Sequence, residues 1–162
     1  MAFLPLPQAL RAELDRQAGD VDGAADRFEH AWSLACQVDD PCWEGIAARG
    51  IGLLHADRGD HAGARGWLAE AAARCTRVPD RYQWMHAYVL DAAITAALDR
   101  DEADLARPLT TTLASLAARS GLRELVVRAH VHRYRLGEPG ALTVARTLAT
   151  HIDNPALAGL FE

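Results

Sequence analysis

Lysine is missing from this chain: all 17 basic side chains are arginine. That one absence closes several routes. A P-loop needs a lysine to reach its phosphates, Schiff-base chemistry needs the amine, and a Ser-Lys dyad needs its base. Strand-length alternation with β-branched enrichment is lacking too, so no stretch reads as a sheet. No apolar run approaches the roughly eighteen residues of a membrane span. The opening Met1-Ala2-Phe3-Leu4-Pro5 has neither the basic nor the apolar region of a signal peptide. A soluble, cytoplasmic protein is therefore expected. Cysteine is scarce: Cys36, Cys42 and Cys75 cannot all pair, none stands in a Cys-x-x-Cys arrangement, and they read as reduced packing residues. A zinc site from His30, Cys36 and Cys42 is conceivable but weaker than that packing reading, so no metal or cofactor is expected. Gly-x-Ser-x-Gly and His-Glu-x-x-His are absent, and His130 and His132, two apart, point to different helix faces. Catalysis has no visible carrier, and a non-enzymatic protein is expected.

What is present is a half-apolar chain of 162 residues, long enough to bury a core without disulfides or metal. It is read as one domain over 1–162. The net charge of −5 argues against direct nucleic-acid binding, which needs a positive face. One local exception runs from Arg119 to Arg135, with Arg123, Arg128 and Arg133 between them and His130 and His132 beside them. Such a run is ordinarily a solvated helix face. The arginine-only, alanine-rich usage also fits a GC-rich genome.

The chain repeats itself. Gly19-Asp20, Ala24, Phe28 and Ala31 recur forty residues later as Gly59-Asp60, Ala64, Leu68 and Ala71. A Gly-Asp turn ends one helix and caps the next, and small residues let the second helix pack closely on the first. Asp40-Pro41, Pro79-Asp80, Ser120-Gly121 and Asn154-Pro155 mark further joints. Together they predict helices over 6–18, 21–38, 41–58, 61–78, 80–98, 102–119, 122–136, 140–151 and 155–161. These form hairpins over 6–38, 41–78, 80–119 and 122–151, with a partial helix over 154–162. The fold class is all-α: a right-handed stack of about four antiparallel hairpins, with Ala24, Phe28, Ala31, Ile51, Gly52, Ala64, Leu68 and Ala71 buried. The helix from 122 carries two apolar stripes, Leu122, Leu125, Ala129 and Leu136 beside Val127, Val131 and Tyr134, as an inner helix packed on two sides must. Pro108 is the misfit, predicting a kink or a late helix start.

At residues 48–71, Ala48, Ile51-Gly52, Gly59-Asp60, Ala64, Leu68 and Ala71 resemble a tetratricopeptide repeat in spacing and in the placing of small residues. The first repeat has a looser first helix. Those around Asp101, Leu105-Ala106, Leu109 and Leu113, and around Gly137-Glu138, Ala141, Ala145 and Leu148, are degenerate. A forty-residue period exceeds the usual thirty-four or so, and is similar to the helical arms of bacterial signalling regulators of the LuxR and MalT type. The resemblance implies a tetratricopeptide-like solenoid: an excised arm or a stand-alone repeat protein, without the ATPase and DNA-reading modules of such regulators.

For function, Trp84, Tyr88, Asp91 and Thr95 fall at i, i+4, i+7 and i+11 and share a helix face; Glu124, Arg128 and Arg135 follow similar spacing on a later helix. If both stripes face the concave side, the groove suits a protein or peptide segment. The alternatives are packing of Trp84 and Tyr88 between hairpins, a small-molecule-sensing domain of a transcriptional regulator, and, least favoured, an enzyme. The sequence given ends with Leu157, Leu160 and Phe161 apolar where a solenoid carries a polar cap. They must fold back, dock on a second copy or continue into a longer protein. A homodimer through this end, or a truncated chain, is the expectation.

Overall fold

The computed structural model describes residues 4–77 and 82–161. The joint read at Pro79-Asp80 lies outside the described residues. Among the described residues eight α-helices follow in order: α1 (Pro5–Gln17), α2 (Val21–Val38), α3 (Pro41–Asp57), α4 (His61–Thr76), α5 (Gln83–Leu98), α6 (Ala103–Arg119), α7 (Arg123–Arg135) and α8 (Pro139–Ala149). A 3₁₀ helix, Pro155–Leu160, replaces the last expected α-helix. Among the described residues there is no strand, and the fold is all-α, with α1 to α4 packed in sequence and α6 to α8 likewise.

One turn chemistry recurs at the joints. Gly19 and Gly59 sit at φ +85° and +73°, the left-handed region that costs glycine nothing. The Asp20 amide donates to the Asp15 carbonyl at 2.9 Å, and the Asp60 amide to that of His55 at 2.9 Å, closing Schellman caps. The same two aspartates then cap the next helix, accepting from the Gly23 and Gly63 amides at 3.0 Å each. Asp60 is held below the usual carboxylate range by the Gly63 amide first and His55 second. Asp39 and Asp101 fill the glycine's place at φ 50° and 58°, which aspartate tolerates better than most residues. A single left-handed residue followed by a cap turns the chain back in two or three residues, so neighbouring helices run antiparallel.

The chain divides into two compact units, Met1–Ala92 and Ala93–Glu162, the division falling inside α5. In the first unit α3 is central. Ala9, Ala12, Ala24, Phe28, Ala31, Ala47, Ile51 and Leu54 tie it to α1 and α2. Cys42, Ala48, Ala71, Cys75, Met85 and Val89 tie it to α4 and the start of α5. Close approach is built in: a Cβ at Gly50 would overlap the Phe28 ring, and one at Gly52 would stand 2.9 Å from Leu68 Cγ. All eight residues expected in the core are buried.

In the second unit α7 packs between α6 and α8, with Leu125, Val127, Ala129 and Val131 buried. Tyr134, read as part of the second stripe, is instead exposed. Pro108 does not delay α6, which begins at Ala103 and runs through it. The proline is exposed, and the hydroxyls of Thr110, Thr111 and Thr112 each bond the carbonyl four residues back, a pattern that accommodates bending. Leu157 is buried against Val127, Val131 and Ala145, with Leu160 and Phe161 packed on the same cluster. The Arg146 guanidinium lies 5.9 Å from the Phe161 ring centre. The first of the three fates read for this apolar end is seen for Leu157: the 3₁₀ helix folds back over the cluster, while Leu160 and Phe161 stay half-exposed.

Candidate functional site

The first unit holds a cleft of about 530 Å³, half open to solvent. Its walls come from one face of each of three helices. α1 supplies Leu6, Leu10, Glu13 and Gln17, at i, i+4, i+7 and i+11; α3 supplies Ile46 and Arg49; α5 supplies Trp84, Met85 and Tyr88, over a floor that includes Phe28. Short joints with a 6→1 backbone bond follow α1, α2 and α3 and bring α1 and α3 to the same side.

Large apolar groups stand open around the cleft. Leu10 is 56 % exposed, Trp84 39 % and Tyr88 36 %. Trp84 and Tyr88 meet edge to face, with ring centres 6.5 Å apart and planes at 78°, so each restrains the other's rotamer. The polar end is organised by ion pairs. Glu13 accepts from Arg16 Nε at 3.0 Å, from Arg16 Nη2 at 2.9 Å and from Gln17 Nε2 at 2.9 Å. Burial pushes its carboxyl up, but these bonds outweigh burial and hold it below the usual range. Arg16 also donates Nη1 to Asp57 at 2.7 Å, fixing α1 to the end of α3. Arg49 donates Nε to the Tyr88 carbonyl at 3.3 Å. Burial lowers its pKa, with Glu13 and Asp91 opposing that shift.

The expected site residues therefore separate. Trp84 and Tyr88 line the cleft. Asp91, two turns along α5, is buried at 6 % exposure and does not line it. Thr95 is half-buried and belongs to the second unit, as do Glu124, Arg128 and Arg135. Glu124 accepts from Asn154 Nδ2 at 2.8 Å and Arg135 donates to Asp99 at 2.7 Å, so both serve packing within that unit. Arg128 is half-buried. The rest of the basic run is also tied down: Arg119 to Ser115 at 2.7 Å, Arg123 to the His151 carbonyl at 2.6 Å, and Arg133 to Glu138 at 2.7 Å. Its arginines are mostly joinery.

Sequence reasoning missed α1 and Arg49. The signal existed: Leu6, Leu10, Glu13 and Gln17 share the spacing of Trp84, Tyr88, Asp91 and Thr95, and Arg49 is the lone charge between Gly45 and Leu54.

Chemistry elsewhere is sparse. Cys42 and Cys75 are buried in the α3–α4 core, and burial pushes both thiols up to about 12, which leaves little thiolate near neutrality. Among the described residues no group of three or more His, Cys, Asp or Glu could hold a metal ion, and no helix is long and apolar enough to cross a membrane. Compared with protein families, curated proteins and solved structures, the chain matches none.

Proposed function

We propose that this chain is a non-enzymatic interaction arm whose first unit takes a peptide or protein segment in the cleft between α1, α3 and α5. One observation carries the reading: Leu10, Trp84 and Tyr88 stand open to water around a formed concavity. Large apolar groups held exposed on a rigid frame are what a binding partner covers, and Trp and Tyr are the residue types that dominate such contacts. The resemblance to tetratricopeptide arms points the same way. A wider role, as a regulatory arm of a bacterial signalling protein in the cytoplasm, rests on that resemblance alone.

A small-molecule sensor is the second reading, since about 530 Å³ falls within the range of ligand pockets. The half-open mouth favours the longer occupant. A small ligand gains most from enclosure, whereas rim groups such as Leu10 and Trp84 reach a chain that extends beyond the cleft.

Selection of random phage-displayed dodecapeptides on the immobilised full chain tests the proposal. Peptides with a shared apolar pattern should be enriched. Their affinity should fall by about thirtyfold or more on Trp84→Ala, the effect of losing a central aromatic contact. Circular dichroism confirms that the variant is folded. No shared pattern, or unchanged affinity on folded Trp84→Ala and Leu10→Ala, sinks the cleft as a peptide site.

A further inference from the structure

Arg49 is the unfinished group in the cleft. Its one hydrogen bond among the described residues is from Nε to the Tyr88 carbonyl, and none of those residues forms an ion pair with it. Four N–H donors remain on its two terminal nitrogens. The obvious counter-charge is already engaged: Glu13 is held by two nitrogens of Arg16 and by Gln17. Arg49 is half-buried in the wall of the cleft. A half-buried cation with vacant donors and an open cleft in front of it gains from an arriving anion.

We propose that Arg49 sets the selectivity of the cleft: the bound segment carries a side-chain carboxylate, Asp or Glu, beside its apolar anchors. This rests on the reading of the cleft as a peptide site. A carboxylate matches the planar guanidinium fork with two parallel bonds. A phosphate, nearer two charges, is ordinarily met by a cluster of arginines, and here a single uncommitted one lines the cleft. The acid is placed on a side chain because the cleft that Arg49 lines also carries apolar groups from α1 (Leu6, Leu10) and from α5 (Trp84, Met85), anchors that a segment longer than a chain end would fill. The occupant runs past the guanidinium and does not end on it.

The probe is the tightest peptide from the phage selection, resynthesised with free and amidated C-termini and with its acidic residue exchanged Glu→Gln or Asp→Asn. On the wild-type chain the exchange should weaken binding about ten- to hundredfold, the size of a charge-assisted hydrogen bond, while amidation changes it less than about twofold. Arg49→Gln should bind the acidic and exchanged peptides equally, and Arg49→Lys should keep part of the preference through its charge. If Arg49→Gln does not fold, the exchange in the peptide reads the same contact on the unaltered protein. Peptides sharing an apolar pattern without an acid, or an exchange effect below about twofold, overturn the role of Arg49 and leave the cleft reading standing. A loss that follows C-terminal amidation overturns the side-chain assignment. Failure to select any patterned peptide removes both readings.

Discussion

A single methyl group added at Gly52 tests the packing of α3 on α4. Its Cβ would stand 2.9 Å from Leu68 Cγ, 3.2 Å from Cδ2 and 3.3 Å from the Leu68 backbone nitrogen. Leu68 is only 3 % exposed, so its side chain has no solvent to swing into, and its nitrogen moves only with α4. Two effects oppose each other in Gly52→Ala. Alanine favours a helix interior over glycine by about 1 kcal/mol, whereas overpacking a closed core costs about 1 to 3 kcal/mol. The net expectation is a loss of about 1 kcal/mol. Gly66→Ala on α4 is the internal control, because its new Cβ would meet nothing within 4 Å. It carries the propensity gain alone and should stabilise by about 0.5 to 1 kcal/mol. At about 2 to 4 °C per kcal/mol for a chain of this size, the two thermal midpoints should separate by several degrees in opposite directions. Adding Leu68→Ala to Gly52→Ala should cost less than the sum of the single changes, since the smaller side chain leaves room for the methyl. A Gly52→Ala midpoint raised as far as that of Gly66→Ala would refute the α3–α4 contact, and with it the register of the hairpin.

Glu44 is buried to 2 % side-chain exposure between Arg74 at 2.5 Å and Arg77 at 3.0 Å, so Glu44→Gln should destabilise by about 2 kcal/mol in urea titration. The cost falls short of a fully buried pair because both arginines retain exposure, and Asp39→Asn, at the exposed end of the same network, should change almost nothing. Leu157→Ala should lower the stability of the second unit by about 2 to 4 kcal/mol by opening the Val127, Val131 and Ala145 cluster, seen as faster amide exchange along α7. Burial lowers the pKa of His86, and of His130 with help from Arg133, below the ordinary 6.5. Their stabilising contribution is thus complete above about 6.5 and is lost as pH falls through the depressed folded values. The thermal midpoint should drop between about pH 7 and 5, and a His86→Gln, His130→Gln variant should show a flatter profile over that window.

Helix order and most helix boundaries were legible in the sequence because their causes are local. A left-handed glycine at 19 or 59 followed by a capping aspartate fixes a turn through bonds spanning five residues or fewer, and the spacing of Ala24, Phe28 and Ala31 fixes which face turns inward. Gly52 could be picked as a close approach for the same reason: only a small residue recurs where a neighbouring helix must come near. Coverage is a different quantity. Trp84 and Asp91 share one face of α5, yet Trp84 stands open at the cleft and Asp91 is buried, because spacing sets the direction a side chain leaves its helix and other helices decide what it meets. Leu157, Leu160 and Phe161 read as a sticky end, but α7 and α8 hold a cluster that they cover. Arg49 looked like an ordinary charge on an apolar helix. Its place in a cleft walled by α1 and α5 was decided only when residues forty positions apart came together, and contacts of that range leave no mark in a window of sequence.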